Sequence, residues 1–486
     1  MKSKAFGNNQ FLPKARSRIA TLDFLRGLAI WLMTFLHAAA NIYDSSVMTS
    51  NMDNFMNMPI GVIILAISLG FFGIWNSFFL LISAIVNSLS FSKRIQRGQE
   101  HEKALFKQLL TGVGLLIVNM IDNSFLYSGY FGTAFRTGDW SNTYPLYRGF
   151  FEMGTLRIIA WALIINSILL YFLLRKNGYQ KTKRNILVFG CLAIVILIIT
   201  PFFHNWVDNM AWTIPTNLPP LVDLGENPSW PNVDFQALNA SFKSWILTIF
   251  AGDIEPFFPY LATGFIGAII GLFLVNPQPP KKLPYIGCGI GAAIIGVGGA
   301  FVAMGMVSLD STRPPLGNYF IMLGAQLITI FLFLWLIEFR GKGEKFATNP
   351  IVKHFRLWGI ISLTIYTLQI YELLPRLIIG NITNWIFNTN YNMVAGSVFG
   401  VGGEYKAILF AFIVILFFEL LIYLWSRINF LLSFEWSIIS ITNMFTDQKS
   451  YRLNVQIMLN NINWVNYSSI ETIEKDKSTI NATTDM

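Results

Sequence analysis

Charge is scarce in this sequence. Only 13% of its 486 residues are Asp, Glu, Lys or Arg, about half the share of an ordinary soluble domain. So few charges cannot keep a chain that is 54% hydrophobic in solution, which excludes a soluble enzyme, a disordered scaffold and a fibrous protein. Cysteine is scarcer still. Cys191 and Cys288 both lie in apolar runs, so there is no disulfide framework, and cysteine says nothing about compartment. The four histidines, His37, His101, His204 and His354, form no metal-ligand spacing, and no dinucleotide or phosphate loop appears. No internal repeat and no low-complexity run stands out.

What the chain has instead is long apolar runs. A bilayer core takes about 20 mostly apolar residues per helix. Ten segments qualify: 20–42, 60–90, 104–122, 150–174, 185–203, 255–275, 284–307, 318–338, 357–379 and 405–426. The expected fold class is therefore all-α, a polytopic integral membrane protein. The second segment is either one tilted helix or a helix broken near Gly70–Gly73. A further apolar stretch, Phe242–Phe250, precedes the sixth. The run at 20–42 follows a basic start and ends Ala38-Ala39-Ala40, like a signal peptide. It contains Asp23 and Arg26, however, and is read as a retained first helix.

The net charge of +9 would raise nucleic-acid binding in a soluble protein; here it sets topology. With the N-terminus inside, 27 of the 35 lysines and arginines fall in alternate, inner segments, as the positive-inside rule requires. Ten spans with both termini cytoplasmic fit every loop. Arg26 and Arg157 fall within spans. Residues 1–446 read as one transmembrane domain, and 447–486 as a polar, flexible cytoplasmic tail. The proline- and tryptophan-rich loop 204–242 is a candidate cap over an outward-facing site or an interfacial apron, and loop 122–149 is a second candidate cap.

The sharpest signal is a polar seam on the first helix. At 100° per residue, Arg26 and His37 differ by only about 20° around the axis. Asp23, Thr34 and Asn41 fall near the same stripe, and the remaining faces are apolar. His37 lies about 16 Å beyond Arg26 along the helix. Ionisable groups at such depth normally face a cavity or a partner. Read without function, Asp23–Arg26 is a local ion pair and His37 a bonded structural histidine. The other three histidines lie in loops or at helix ends. Polar groups elsewhere include Asn76 and Ser77; Asn119, Asp122 and Asn123; Glu152 and Arg157; and Ser362, Tyr366 and Gln369, which share a face of the ninth span. Glu419 in the tenth span is either a packing contact or a cavity group.

Arg18-Ile-x-x-Leu-Asp23-x-x-Arg26-Gly27-Leu-Ala-Ile, with a histidine eleven residues after the arginine, resembles the opening of the transmembrane acyltransferase superfamily. That group includes heparan-alpha-glucosaminide N-acetyltransferase, YeiB-like bacterial proteins and acyltransferase family 3. Further stretches are similar in order: Phe257-Phe-Pro-Tyr-Leu-Ala-Thr-Gly264-Phe-Ile-Gly267, Trp358-Gly359-Ile-Ile-Ser362-Leu-Thr364-Ile-Tyr366-Thr-Leu-Gln369, and Phe434-Glu435-Trp436. A glycine-proline pair before the last glutamate is here Leu432-Ser433.

The resemblance implies transfer of an acyl group, expected to be acetyl, from cytoplasmic acyl-CoA to an acceptor outside. The acceptor class is a hydroxyl or amine of an envelope glycan or glycolipid. Arg26, with Arg18, would bind the polyanionic donor. His37 would act as general base or carry the acyl group transiently. Asp23 would orient Arg26, and Asn41, Asn76, Tyr366 and Gln369 would support the site. No metal and no nucleic acid are expected, and oligomeric state is not legible. The alternative is a secondary transporter or channel for a small polar solute. Against it, no inverted repeat or paired helix breaks are visible. A structural or sensory role draws little support from the seam.

Overall fold

The computed structural model describes residues 17–43, 76–214, 230–306, 313–389, 398–400, 403–446, 454–460 and 462–468, with isolated positions between. Lipid offers no hydrogen bonds, so a chain this apolar satisfies its backbone within helices. Among the described residues, nine helices are long and apolar enough to cross a membrane, or ten if one bent pair counts as a span. In chain order the main helices are α1 Ala20–Ala40, α2 Asn76–Gln96, α3 His101–Phe125, α4 Thr155–Leu174 and α5 Thr182–Asp208. They continue as α6 Phe257–Leu274, α7 Leu283–Ala303, α8 Leu316–Leu336, α9 Pro350–Ile360, α10 Ser362–Thr367, α11 Leu373–Phe387 and α12 Glu404–Ser426. The chain is an all-α polytopic membrane protein. The expected start of the second span and the break near Gly70–Gly73 lie outside the described residues.

Helix α1 is the centre of the bundle. Its first half, with Leu22, Leu25 and Ala29, joins a core built with α2, α4, α6 and α8. Its second half, with Ile30, Met33, Phe35 and Ala38, joins a second core with α9, α10 and α12. Close approach decides where α9 crosses α1. A Cβ on Gly27 would stand 1.7 Å from the Phe355 carbonyl oxygen, and one on Gly359 would stand 3.0 Å from the Asp23 carbonyl oxygen. Only residues without side chains let the two backbones touch there. Helix α9 then ends at Ile360, and the chain resumes from Ser362 at a bend of 66°. A 3-10 turn, Leu368–Glu372, links α10 to α11.

Part of the segment expected to be a flexible tail is folded against the bundle. Residues Asn463–Trp464 pair in parallel with Ser17–Arg18, just before α1. Arg356 of α9 donates to the Met458 and Leu459 carbonyls at 2.7 and 3.3 Å, and its guanidinium lies 4.4 Å from the Trp464 ring. Tyr467 donates its hydroxyl to Leu274 O at 2.9 Å. Hydrogen bonds and a stacked arginine thus hold a strap whose low apolar content had suggested disorder. Residues 469–486 lie outside the described residues.

Glu338, just past α8, caps α1 by accepting from the Thr21 N–H at 2.9 Å and the Thr21 hydroxyl at 2.6 Å. An anion at a helix N-terminus is favourable, but burial pushes this carboxyl up to about 7. The folded protein therefore holds the proton more tightly than the unfolded chain, and stability falls as pH rises from about 4.5 to about 7. Glu338→Gln keeps an acceptor oxygen and removes the titration. The thermal midpoint in detergent is expected to fall less steeply over that window in the variant than in wild type. Parallel curves would refute the assignment.

Candidate functional site

Two cavities meet beside the first half of α1. The first, of about 390 Å³, opens at the end of the bundle where α1 begins. Arg18, Lys93, Arg94, Arg97 and Lys107 line it against one carboxylate, Asp23. The second, of about 270 Å³, is walled mainly by apolar side chains such as Ile30, Phe79, Ile82 and Leu115. Arg18, Val86, Asn87, Thr111 and Leu163 line both, so the two are adjacent. The second also receives Arg26, Glu435, Thr155 and Tyr366.

Arg26 makes no hydrogen bond among the described residues, and its Nε is buried without a partner. A desolvated guanidinium in that condition is costly and remains available to an anion. Asp23 makes no ion-pair contact with it. Asp23 pairs with Arg18, Oδ1 to Nη2, at 2.5 Å. Asp23 thus has Arg18 as its close partner and acts on Arg26 electrostatically, without an ion-pair contact. Arg18 also donates to Met458 Sδ at 3.1 Å, so the strap helps set one of the cavity's cations.

Further along the seam, His37 and Gln369 meet. His37 Nδ1 lies 3.0 Å from Gln369 Oε1. The Gln369 amide nitrogen faces Met33 Sδ at 3.8 Å, which leaves the oxygen toward the imidazole. An amide oxygen can only accept, so this pairing assigns the proton to Nδ1 and leaves the Nε2 lone pair free. One turn on, Asn41 Nδ2 donates to Glu372 Oε2 at 3.3 Å. His37 and Gln369 are not among the residues lining either cavity. Tyr366, which lines the second cavity, precedes Gln369 by three residues. The Tyr366 hydroxyl is directed at that of Thr155. Thr34 turns back onto Ile30 O at 2.9 Å and leaves the seam.

Glu435 accounts for the bend. Its Oε1 accepts from the N–H groups of Leu363 and Thr364 at 2.6 and 3.2 Å, and its Oε2 accepts from the Thr364 hydroxyl. The start of α10 is thus capped from a helix 70 residues away, Phe434–Thr446. This fixes the short segment that carries Tyr366 and Gln369. Sequence reasoning saw Glu435 only as part of a motif, and it missed Glu372. Glu372 was in principle visible as an acid three residues after Gln369.

Other polar groups resolve into structural contacts. The Asn76 side chain lies outside the described residues. Ser77 accepts from Gln326 Nε2 at 2.8 Å. Glu419 is a packing contact, bonded to Trp358 Nε1 and His354 Nε2 at 3.0 Å each. His354 is therefore not an ordinary loop histidine, and His204 sits inside α5, bonded to Phe258 O at 2.9 Å. Arg157 donates to the Phe150 and Gly149 carbonyls. The two candidate caps are tied together: Arg148 Nε meets Asp234 Oδ1 at 2.8 Å and its Nη1 meets Glu152 at 3.0 Å. Helix α5 runs to Asp208, so the loop expected from 204 begins later, and Phe242–Ala251 is a short apolar helix. Glu255, ahead of α6, is fully buried, and burial pushes it up to about 8 against the opposing effect of Thr155 beside it.

No group of three or more metal-ligand side chains occurs among the described residues. No protein-family model matches the chain, and no curated protein shows significant similarity to it.

Proposed function

We infer that this chain is a membrane acyltransferase of the transmembrane acyltransferase superfamily. It would move an acyl group, expected to be acetyl, from cytoplasmic acyl-CoA to a hydroxyl or amine of a glycan or other acceptor on the far side. One observation carries the reading: a cation-lined cavity adjoins an apolar one holding Arg26, whose buried Nε has no hydrogen bond among the described residues, on the same helix that presents His37 to Gln369 eleven residues further on. The positive-inside rule turns the basic end toward the cytoplasm, with ten spans and both termini there.

The parts suit a long, charged donor. Phosphates would meet the mouth cations and Arg26. The thin pantetheine arm would follow the apolar cavity toward Tyr366. Arg26 and His37 are about 16 Å apart along α1, a separation that suits such an arm. At the thioester, His37 Nε2 either takes the acceptor's proton as the acceptor attacks the carbonyl carbon, or carries the acyl group itself. In both cases the C–S bond breaks and the sulfur leaves as thiol. Gln369 holds the ring in the required tautomer.

Isothermal titration of the purified protein with acetyl-CoA tests this directly. Saturable binding that weakens as salt screens the mouth cations is expected, and a flat titration would overturn the reading. A second reading, transport of a small polar solute, draws on the 66° break beside Gln369 and Glu372, since transporters build sites at broken helices. It requires solute flux into liposomes without acyl-CoA.

A further inference from the structure

The strap over 454–468 takes no part in the chemistry above, yet it borders the second cavity. Met458 lines that cavity together with Arg18 and Arg26. Its Sδ accepts from Arg18 Nη1 at 3.1 Å, while Arg18 Nη2 is held by Asp23. The Arg18 carbonyl accepts from the Val465 N–H at 2.9 Å. The strap therefore grips Arg18 by side chain and backbone, and Arg18 is a cation that lines both cavities. The Val455 N–H also donates to Asn429 Oδ1 at 3.0 Å, and Asn429 is a further wall residue of the second cavity.

The chemistry of that grip is selective. Residues 454–468 contain no Asp, Glu, Lys or Arg. Besides Arg18, the strap engages Arg356 and Lys353 of α9, again through neutral acceptors. Arg356 donates to the Met458 and Leu459 carbonyls, and Lys353 Nζ donates to Asn460 Oδ1 at 2.9 Å. Carboxylates in place of these groups would hold the cations harder, but they would cancel the charge and repel an anion. Neutral acceptors fix the geometry and leave the positive field standing. A thioether is moreover a weak acceptor, so it directs the guanidinium without competing with a phosphate oxygen for it. We propose that Met458 positions Arg18 for the donor's phosphates, so that strap seating and donor binding favour each other. This rests on the acyltransferase reading. A seated strap holds Arg18 ready before the donor arrives. By linkage, whatever the seated strap adds to donor affinity, the bound donor returns to the strap.

The test uses the full chain in detergent with acetyl-CoA as the probe. Met458→Leu keeps the side-chain volume and removes the acceptor. Calorimetry is expected to show acetyl-CoA affinity falling about three- to tenfold, the usual worth of one hydrogen bond. In an Arg18→Ala background the same substitution should change affinity by about twofold or less, because a double-mutant cycle isolates the pair. Saturating acetyl-CoA should also slow hydrogen exchange in the wild-type strap. The Val465 and Tyr467 amides, bonded to Arg18 O and Glu338 O, should exchange about threefold more slowly or better. Full affinity in a folded Met458→Leu protein, an equal loss with and without Arg18, or strap exchange that bound acetyl-CoA leaves unchanged overturns this inference alone. If a variant does not fold or binds too weakly to measure, the wild-type exchange result decides. A wild type that does not bind acetyl-CoA removes the acyltransferase reading, and this inference with it.

Discussion

Replacing His37 with alanine is expected to lower acyl transfer by about 100- to 10,000-fold, the usual worth of a positioned acid–base group, while acetyl-CoA affinity stays nearly constant. Among the described residues the imidazole makes one hydrogen bond, to Gln369 Oε1, and it is half-buried and lines neither cavity. Its loss removes the Nε2 lone pair and little packing. Gln369→Ala should give a smaller loss, because the imidazole remains but can flip or change tautomer. Transfer rate, thermal midpoint and donor affinity, measured together, separate chemistry from folding. Retained transfer in a folded His37→Ala protein would move catalysis elsewhere.

The second large effect belongs to Arg26. Arg26→Ala is expected to weaken acetyl-CoA binding by about 10- to 100-fold, since a hydrogen bond to a charged group contributes about 1.5–3 kcal/mol and each 1.4 kcal/mol is about tenfold. Its Nε is buried without a partner, so the protein gives little up when the side chain goes. Arg18 differs: removing it would leave Asp23 unpaired at the mouth and add repulsion toward the same anion. Lysine at 26 should recover only part of the affinity, because it lacks the planar fork that holds phosphate oxygens. Titration calorimetry of wild type, Arg26→Ala and Arg26→Lys checks the order. An Arg26→Ala protein with full donor affinity but impaired acceptor use would refute the assignment.

Much of the site was legible because charge is so rare in the chain. Arg26, His37 and Asn41 stand out on α1 only against apolar faces, and helical periodicity alone aligns them. Tyr366 and Gln369 were legible for the same reason on the ninth span. The close partner of Asp23 was not legible, because Arg18 approaches from outside the helix. The strap over 454–468 was misread. Its few apolar residues and Arg356 act through contacts with elements more than a hundred residues away.

By itself, the sequence determined that the chain spans a membrane with helices and which helix carries the polar seam. Apolar run length and the 3.6-residue period are local properties, and they leave a lipid-bound backbone no other choice. Tertiary structure decided what faces the seam. That α1 and α9 touch at Gly27 and Gly359, that Glu435 caps the far side of a broken span, and that Glu372 sits one rung past His37 all depend on how distant helices cross. Such crossings are set by side-chain shape at a few contact points, which no periodicity records.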